Sequence, residues 1–409
     1  MQLGNDDFVP VILGTNLNAY NISRSLHEAY GVRSLALGRF AVRETADSTI
    51  VEVRARADFA DADVIVSVLD DVAREFPGRK LLLIPTIEFY TNVVLDRRGD
   101  LDERYVVPLP GREVTDRLMN KTDFYRTCAE LGVPHPETVI VGPDTPLGDT
   151  FGTDLPFPYP VILKPSNTDI YPRLDFAGKQ KVYVVQNATE LRDIAGRIFV
   201  AGYDDDLVVQ EYLAGDEAVM RVANTYSDQH GSMRFAACGQ VVLTEWDPAL
   251  VGNNNAIISV RDDELVESMQ RFLDGVGYVG LANFDVMHDR RTGLRKLLEV
   301  NLRPGATSYY AMAGGGNLIR PVVQDLVYNR PVPFTVATQE RLWLNVPYPV
   351  VRRFAPKSLR AQYKSASKNG KVHTLDYAPD LSAARRIDIA RIDARHTLAY
   401  FKYAKTRSQ

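Results

Sequence analysis

The sequence predicts α/β and α+β architecture: a small parallel α/β domain, a larger α+β unit, and a basic C-terminal extension. Three observations carry this. Short apolar runs alternate with helical patterns over the first hundred residues. Near residue 110 the pattern changes, and longer extended segments dominate from there. From Pro331 to Gln409 there are 15 Lys+Arg against 5 Asp+Glu, although the whole chain has a net charge of −4. The extension is therefore cationic and the body anionic. A chain of 409 residues exceeds one ordinary core and predicts two or three packed units.

The elements follow in order. Phe8 to Leu13 is an apolar run, and Gly14 with a polar stretch leads into an amphipathic pattern through Ile22, Leu26 and Ala29. That is a strand, a turn and a helix, with Gly31 as the stop. Val32 to Leu37, Asp63 to Leu69 and Lys80 to Ile84 read as further buried strands. Strands alternating with helices imply a parallel sheet, whose ligands sit at the carboxyl ends of its strands. Those ends are Gly14-Thr15-Asn16 and Pro85-Thr86-Ile87-Glu88, which makes Glu88 a candidate substrate contact. Asn120 can cap a helix from Lys121 to Leu131, with Gly132 beyond it. Extended segments are predicted at Val161 to Lys164, Lys181 to Val185 and Leu207 to Tyr212. A helix is predicted from Thr189 to Val200. After Gly215 come Glu217 to Asn224, Met233 to Leu243, Tyr278 to His288 and Arg295 to Leu302. Gly314-Gly315-Gly316 precedes a helix over about Asn317 to Tyr328. The boundaries are thus 1–111, 112–215, 216–335 and 336–409.

Composition narrows the function classes. Hydrophobic residues make up 45% and charged residues 24%, as in ordinary soluble proteins. No apolar run reaches the length of a membrane span. Met1 to Asp7 lacks the layout of a signal peptide, so a cytoplasmic protein is expected. Cys128 and Cys238 are far apart and in no metal spacing. The acidic body argues against nucleic acid as a partner. The basic extension could meet phosphates, an anionic membrane surface or the body itself, without stable insertion. Gly275-Val-Gly-Tyr-Val-Gly280 matches GxGxxG, but a helical pattern precedes it and a strand follows, the reverse of a dinucleotide site. No P-loop motif occurs.

Three segments carry chemistry. Val161-Ile-Leu-Lys164-Pro165 ends an apolar strand on a cation. Leu207-Val-Val-Gln-Glu-Tyr-Leu-Ala-Gly-Asp-Glu217 runs from a strand through a linker into acids. Its backbone can meet an adenine edge, and the Glu217 carboxylate can accept from ribose hydroxyls. Asp285 lies on one strand, and Glu299 and Asn301 alternate on the next, so the latter two share a face. Two carboxylates and an amide oxygen suit Mg²⁺ bridging nucleotide phosphates. Arg303 follows at the same spacing and can reach those phosphates. Acids inside a hydrophobic hairpin are costly without a partner, which favours function here. Arg221, Tyr309 and Tyr310 could contact substrate, but residues of these types are more often structural.

Lys-Pro at a strand end, Gln210-Glu-Tyr-Leu213…Gly-Asp-Glu217, and Asp285…Glu299-Val-Asn301-Leu-Arg303-Pro together resemble the ATP-grasp superfamily. The resemblance implies a pre-ATP-grasp domain over 1–111 and a two-subdomain grasp from about 112 to 335. It implies an ATP-dependent carboxylate-amine ligase working through an acyl-phosphate. Lys121 and Lys164 would hold ATP phosphates. Gln210, with the backbone of Glu211 and Leu213, would read adenine, and Glu217 would take the ribose. Asp285, Glu299 and Asn301 would hold one or two Mg²⁺, with Mn²⁺ an alternative, and Arg303 would stabilise the transferring phosphoryl group. The phosphate-covering loop of the superfamily is often glycine-rich. Here Ser166 to Lys181 contains only Gly178 but carries Arg173, Lys179 and Lys181, so cationic side chains, Lys179 among them, are expected to cover the phosphates.

Within the superfamily, Leu174-Asp175-Phe176…Gly178-Lys-Gln-Lys181, Glu245-Trp-Asp-Pro…Gly252-Asn253 and Ser308-Tyr-Tyr310 are similar to D-aspartate ligases. That resemblance implies an amino-acid carboxylate and an amine acceptor on a UDP-linked peptidoglycan precursor. A ligase making free dipeptides and a non-catalytic ATP-binding regulator are the alternatives, and a homo-oligomer is compatible with either.

Overall fold

The structure is a computed structural model, and it describes residues 2–167, 170–248, 250 and 252–407. Thr168 and Asp169, inside the expected phosphate-covering loop, lie outside the described residues. The chain divides into two compact units. One comprises Met1–Gly111, Asp216–Phe284 and Asn301–Gln409; the other comprises Arg112–Gly215 and Asp285–Val300.

The first unit opens with a five-stranded sheet in the order Val51–Ala55, Ser34–Gly38, Phe8–Leu13, Lys80–Pro85, Tyr105–Val106. All its pairs are parallel, with Val11 beside Leu35 and Phe8 beside Lys80. Every residue of Phe8–Leu13 is buried, as a strand covered on both faces requires. The following helix, Leu17–Tyr30, starts where the Asn16 side chain accepts the Ala19 N–H and ends at Gly31, whose φ of 68° suits glycine. One expectation is overturned: Asp63 to Leu69 is not a strand. It lies in the helix Ala62–Glu75, capped by Asp61, and its buried residues Ile65, Val66, Leu69, Val72 and Ala73 follow helical spacing. The third strand of the sheet is instead Val51–Ala55.

The same unit holds an antiparallel sheet built on Met220–Ser227, Met233–Thr244, Asn254–Val260 and Leu342–Leu344, extended by Lys371–His373 in parallel. Thr335–Ala337 adds in parallel to Met233–Thr244. The GxGxxG segment joins the helix Asp263–Gly275 to the strand Gly280–His288. Gly280 has a φ of 101°, and a Cβ there would stand 2.1 Å from the Pro108 carbonyl oxygen, so only glycine fits.

The basic extension folds onto this unit. Its last helix is Ala383–Arg407. Asp380 and Arg385 have fully buried side chains. Asp380 accepts from the hydroxyls of Tyr20 (2.7 Å), Ser48 (2.9 Å) and Thr49 (2.9 Å). Arg385 donates to the carbonyls of Arg43, Glu44 and Ala46, and its guanidinium lies 4.5 Å from the Tyr20 ring centre. Among the described residues, no helix is long and apolar enough to cross a membrane.

The second unit is a four-stranded antiparallel sheet in the order Thr138–Val141, Leu207–Glu211, Val161–Pro165, Tyr183–Val185. The helix Ala188–Val200 packs on it through Leu191, Ile194, Ala195 and Ile198. The unit also holds the helices Arg112–Met119 and Lys121–Glu130 and the hairpin segment Asp285–Val300. That hairpin turns where the Asp289 N–H donates to the Leu294 carbonyl (2.9 Å).

Candidate active site

In the second unit, three lysines act electrostatically on one carboxylate. Lys164 closes the strand Val161–Pro165, and Lys121 opens the helix Lys121–Glu130. Asn120 caps that helix by accepting the Asp123 N–H, and it also accepts the Ser166 hydroxyl (2.9 Å). The same Ser166 Oγ accepts the Thr122 N–H (3.0 Å). Ser166, two residues after Lys164, therefore fixes the start of one element against the end of the other by bonding both neighbours of Lys121.

Glu299, on the strand Arg295–Asn301, lies in the field of this pair. Burial pushes its carboxyl up, but Lys121, Lys164, a hydrogen bond with Asp285 and Lys181 outweigh that and hold it below the usual range. Burial and the nearby Lys121 charge lower Lys164 to about 7, against a smaller opposing pull from Glu299. Two adjacent carboxylates on neighbouring strands form a hard-oxygen set with room for a cation's charge, so the residues present fit Mg²⁺. Among the described residues no three His, Cys, Asp or Glu side chains gather at one point; this set has two carboxylates, and the amide of Asn301 ends the same strand.

Tyr125 holds Lys164. Its hydroxyl accepts from Lys164 Nζ (2.7 Å) and donates to the Leu298 carbonyl (2.6 Å), one residue before Glu299. Burial raises its own pKa well above the ordinary value, so the hydroxyl keeps its proton. Gln210 is also buried; its Nε2 donates to Thr138 Oγ1 (2.8 Å), and it hydrogen-bonds Tyr125. Leu213 is half-buried in the linker that follows.

Glu211 sits in a buried ion network. Its carboxylate pairs with Lys296 and Arg291 and accepts the Glu137 N–H (3.0 Å), and its own N–H donates to the Glu137 carbonyl (3.0 Å). Asp289 joins through Lys296 (3.2 Å) and Arg291 (3.0 Å). Burial pushes the Glu211 carboxyl up, while Lys296, the Glu137 N–H and Arg291 pull it below the ordinary range. The linker expected to meet adenine is thus anchored to the hairpin that carries Glu299.

In the first unit, Glu217 is 8% exposed and its Oε1 accepts from Thr244 Oγ1 (2.8 Å). Arg303 donates to Asn301 Oδ1 (3.4 Å) and to the Pro304 carbonyl (3.3 Å). Arg221 donates to the carbonyls of Ala218 and Met220. Tyr309 and Tyr310 are core residues: Tyr310 donates to the Ala237 carbonyl (2.8 Å), and Tyr309 donates to Glu28. Glu88 is exposed at the first position of the helix Glu88–Asp96.

In the loop, Lys179 donates to the carbonyls of Pro172 (2.8 Å) and Leu174, so its ammonium folds the loop on itself. Lys181 is the loop cation that acts on Glu299. Sequence reasoning passed over Tyr125, Ser166 and Lys296 as site residues. Lys296 had a legible signal, a lysine alternating with Leu298 and three residues before Glu299 on one strand; the tyrosine and serine had none, because their partners are distant in sequence.

The chain is 33% identical to the D-aspartate ligase of Enterococcus faecium (strain Aus0004) over 396 residues, covering 94% of each. It is 25% identical to a D-alanine--D-alanine ligase of Pseudomonas putida (strain GB-1), covering 69% of this chain and 88% of the relative. Among solved structures, the ADP complex of N5-carboxyaminoimidazole ribonucleotide synthetase superposes with a TM-score of 0.57 at 12% identity, covering 85% of this chain and 84% of the other. That likeness concerns the fold. No family model matches the chain.

Proposed function

Because the chain belongs to the ATP-grasp carboxylate-amine ligases, and within them to the D-aspartate ligase family, we propose that it joins D-aspartate to the lysine side chain of a UDP-linked peptidoglycan precursor. The observation that carries the phosphoryl chemistry is the set of Lys121, Lys164 and Lys181 around the Glu299–Asp285 pair. It offers cations to a polyphosphate and carboxylates to its metal.

A carboxylate is a poor electrophile, and ATP removes that obstacle. The amino-acid carboxylate attacks the γ-phosphorus, giving an acyl-phosphate and ADP. The amine then attacks the acyl carbon, and phosphate leaves. The protein's part is positioning and charge neutralisation. Lys121 and Lys164 hold the phosphates, and Tyr125 fixes the direction of the Lys164 ammonium. Gln210 and the Glu211–Leu213 backbone meet adenine, Glu217 the ribose, and Lys181 approaches from the loop. Arg303 neutralises the phosphoryl oxygens. Asp285, Glu299 and Asn301 would hold Mg²⁺, which supplies charge stabilisation of the transferring phosphoryl group.

Hydroxylamine trapping with ATP, Mg²⁺ and a panel of D- and L-amino acids tests this. Hydroxamate from D-aspartate alone supports the reading. Hydroxamate from another amino acid keeps the ligase and rejects D-aspartate. With D-aspartate, ATP and the UDP-linked precursor together, an absence of ADP release rejects the proposed reaction.

A further inference from the structure

We propose that the C-terminal helix orients the carboxylate that receives the nucleotide's ribose, with Tyr400 as the positioning residue; this rests on the role of Glu217 proposed above. The two are linked through residue 244. The fully buried Tyr400 hydroxyl donates to the Thr244 carbonyl (2.5 Å) and accepts from Asn255 Nδ2 (2.9 Å). Thr244 in turn donates its own hydroxyl to Glu217 Oε1 (2.8 Å). The helix thus grips the peptide of a residue that hydrogen-bonds the Glu217 carboxylate.

Two further contacts make the grip stiff. One turn earlier on the helix, His396 Nδ1 lies 3.3 Å from Glu245 Oε2, which also accepts from Asn255 Nδ2 (2.8 Å). Glu245 Oε1 accepts the N–H groups of Trp246 (2.8 Å) and Asp247 (3.0 Å). The Trp246 ring packs on Tyr400 at 5.0 Å between centres and on Phe354 at 5.3 Å. Backbone, carboxylate and ring of residues 244–247 are therefore all tied to the helix. Holding Thr244 through its peptide and its neighbours holds the Oε1 end of the Glu217 carboxylate, which keeps lone pairs on both oxygens to accept from ribose hydroxyls. The neighbouring Gln240 donates to the Glu217 carbonyl (2.9 Å) and fixes its backbone.

The test compares ATP with 2′,3′-dideoxy-ATP, each with Mg²⁺, in the full-length enzyme assayed by ADP release. Wild type should prefer ATP in kcat/KM by about tenfold or more, the usual effect of a hydrogen bond to a charged group. E217Q should lose most of that preference. Y400F and T244V should lose a large part of it through KM, with kcat for ATP unchanged and a native-like thermal melt. Y363F, at another buried tyrosine of the same core, should keep the wild-type ratio, which a general loosening would not allow. If E217Q loses the preference while folded Y400F and T244V retain it in full, the helix does not position Glu217, and the ribose reading stands. If E217Q itself retains the preference, the ribose reading fails and this inference with it.

Discussion

Lys164 should take up a proton when nucleotide binds. Its ammonium is held at about 7 because burial and Lys121 disfavour a second positive charge there. An ordinary lysine titrates near 10.4. With a pKa of about 7, roughly a tenth of the lysine is charged at pH 8 and roughly nine-tenths at pH 6. A polyphosphate against the amine restores the charged form. Binding of preformed MgATP should therefore consume about 0.9 proton at pH 8 and about 0.1 at pH 6. Calorimetric titration in buffers of different ionisation enthalpy reads this directly, since the slope of the apparent heat against that enthalpy is the proton count. K164M provides the background from other groups and should abolish the pH difference. Equal uptake at both pH values, or the same difference in K164M, would refute the account of Lys164.

Other expectations concern neighbouring residues. E299Q should nearly abolish ADP formation while keeping a native-like melt, because it removes a carboxylate beside Asp285 but little volume; wild-type turnover would reject the metal assignment. Y125F removes the acceptor for Lys164 Nζ, and ATP turnover should fall by roughly tenfold, the effect of one charge-assisted hydrogen bond. Proton uptake at pH 8 in the same variant reports whether the lysine is still in place. K296M takes one cation from the buried Glu211 carboxylate, and denaturant unfolding should show a loss of about 3 kcal/mol. A loss below about 1 kcal/mol would mean that Arg291 alone suffices.

How much was legible depended on how local the determinant is. The helix Leu17–Tyr30 and the cap at Asn120 were readable because the stop and start residues lie inside the element. The run Asp63-Val-Ile-Val-Ser-Val-Leu69 misled because β-branched residues suggest a strand. The Asp61 cap and the burial of every third or fourth position decide for helix. At the site, lysines and acids at strand ends were visible because charge in an apolar run is conspicuous. Tyr125 and Ser166 act across 39 and 44 residues respectively, and nothing in their own neighbourhoods marks them. Lys179 and Lys181 could not be told apart by sequence; loop conformation turns Lys179 inward to carbonyls, while the Lys181 charge acts on Glu299.

The Arg385 side chain binds carbonyls 339 to 342 residues before it. A ribosome delivers those carbonyls long before the arginine exists. During synthesis the segment Arg43–Ala46 must therefore wait, its carbonyls served by water, until Arg385 has emerged. The last ordering of this segment beside the first sheet waits on a residue made 339 to 342 positions later. A premature stop ahead of Asp380 would thus injure the beginning of the protein, leaving Tyr20, Ser48 and Thr49 without the carboxylate they share.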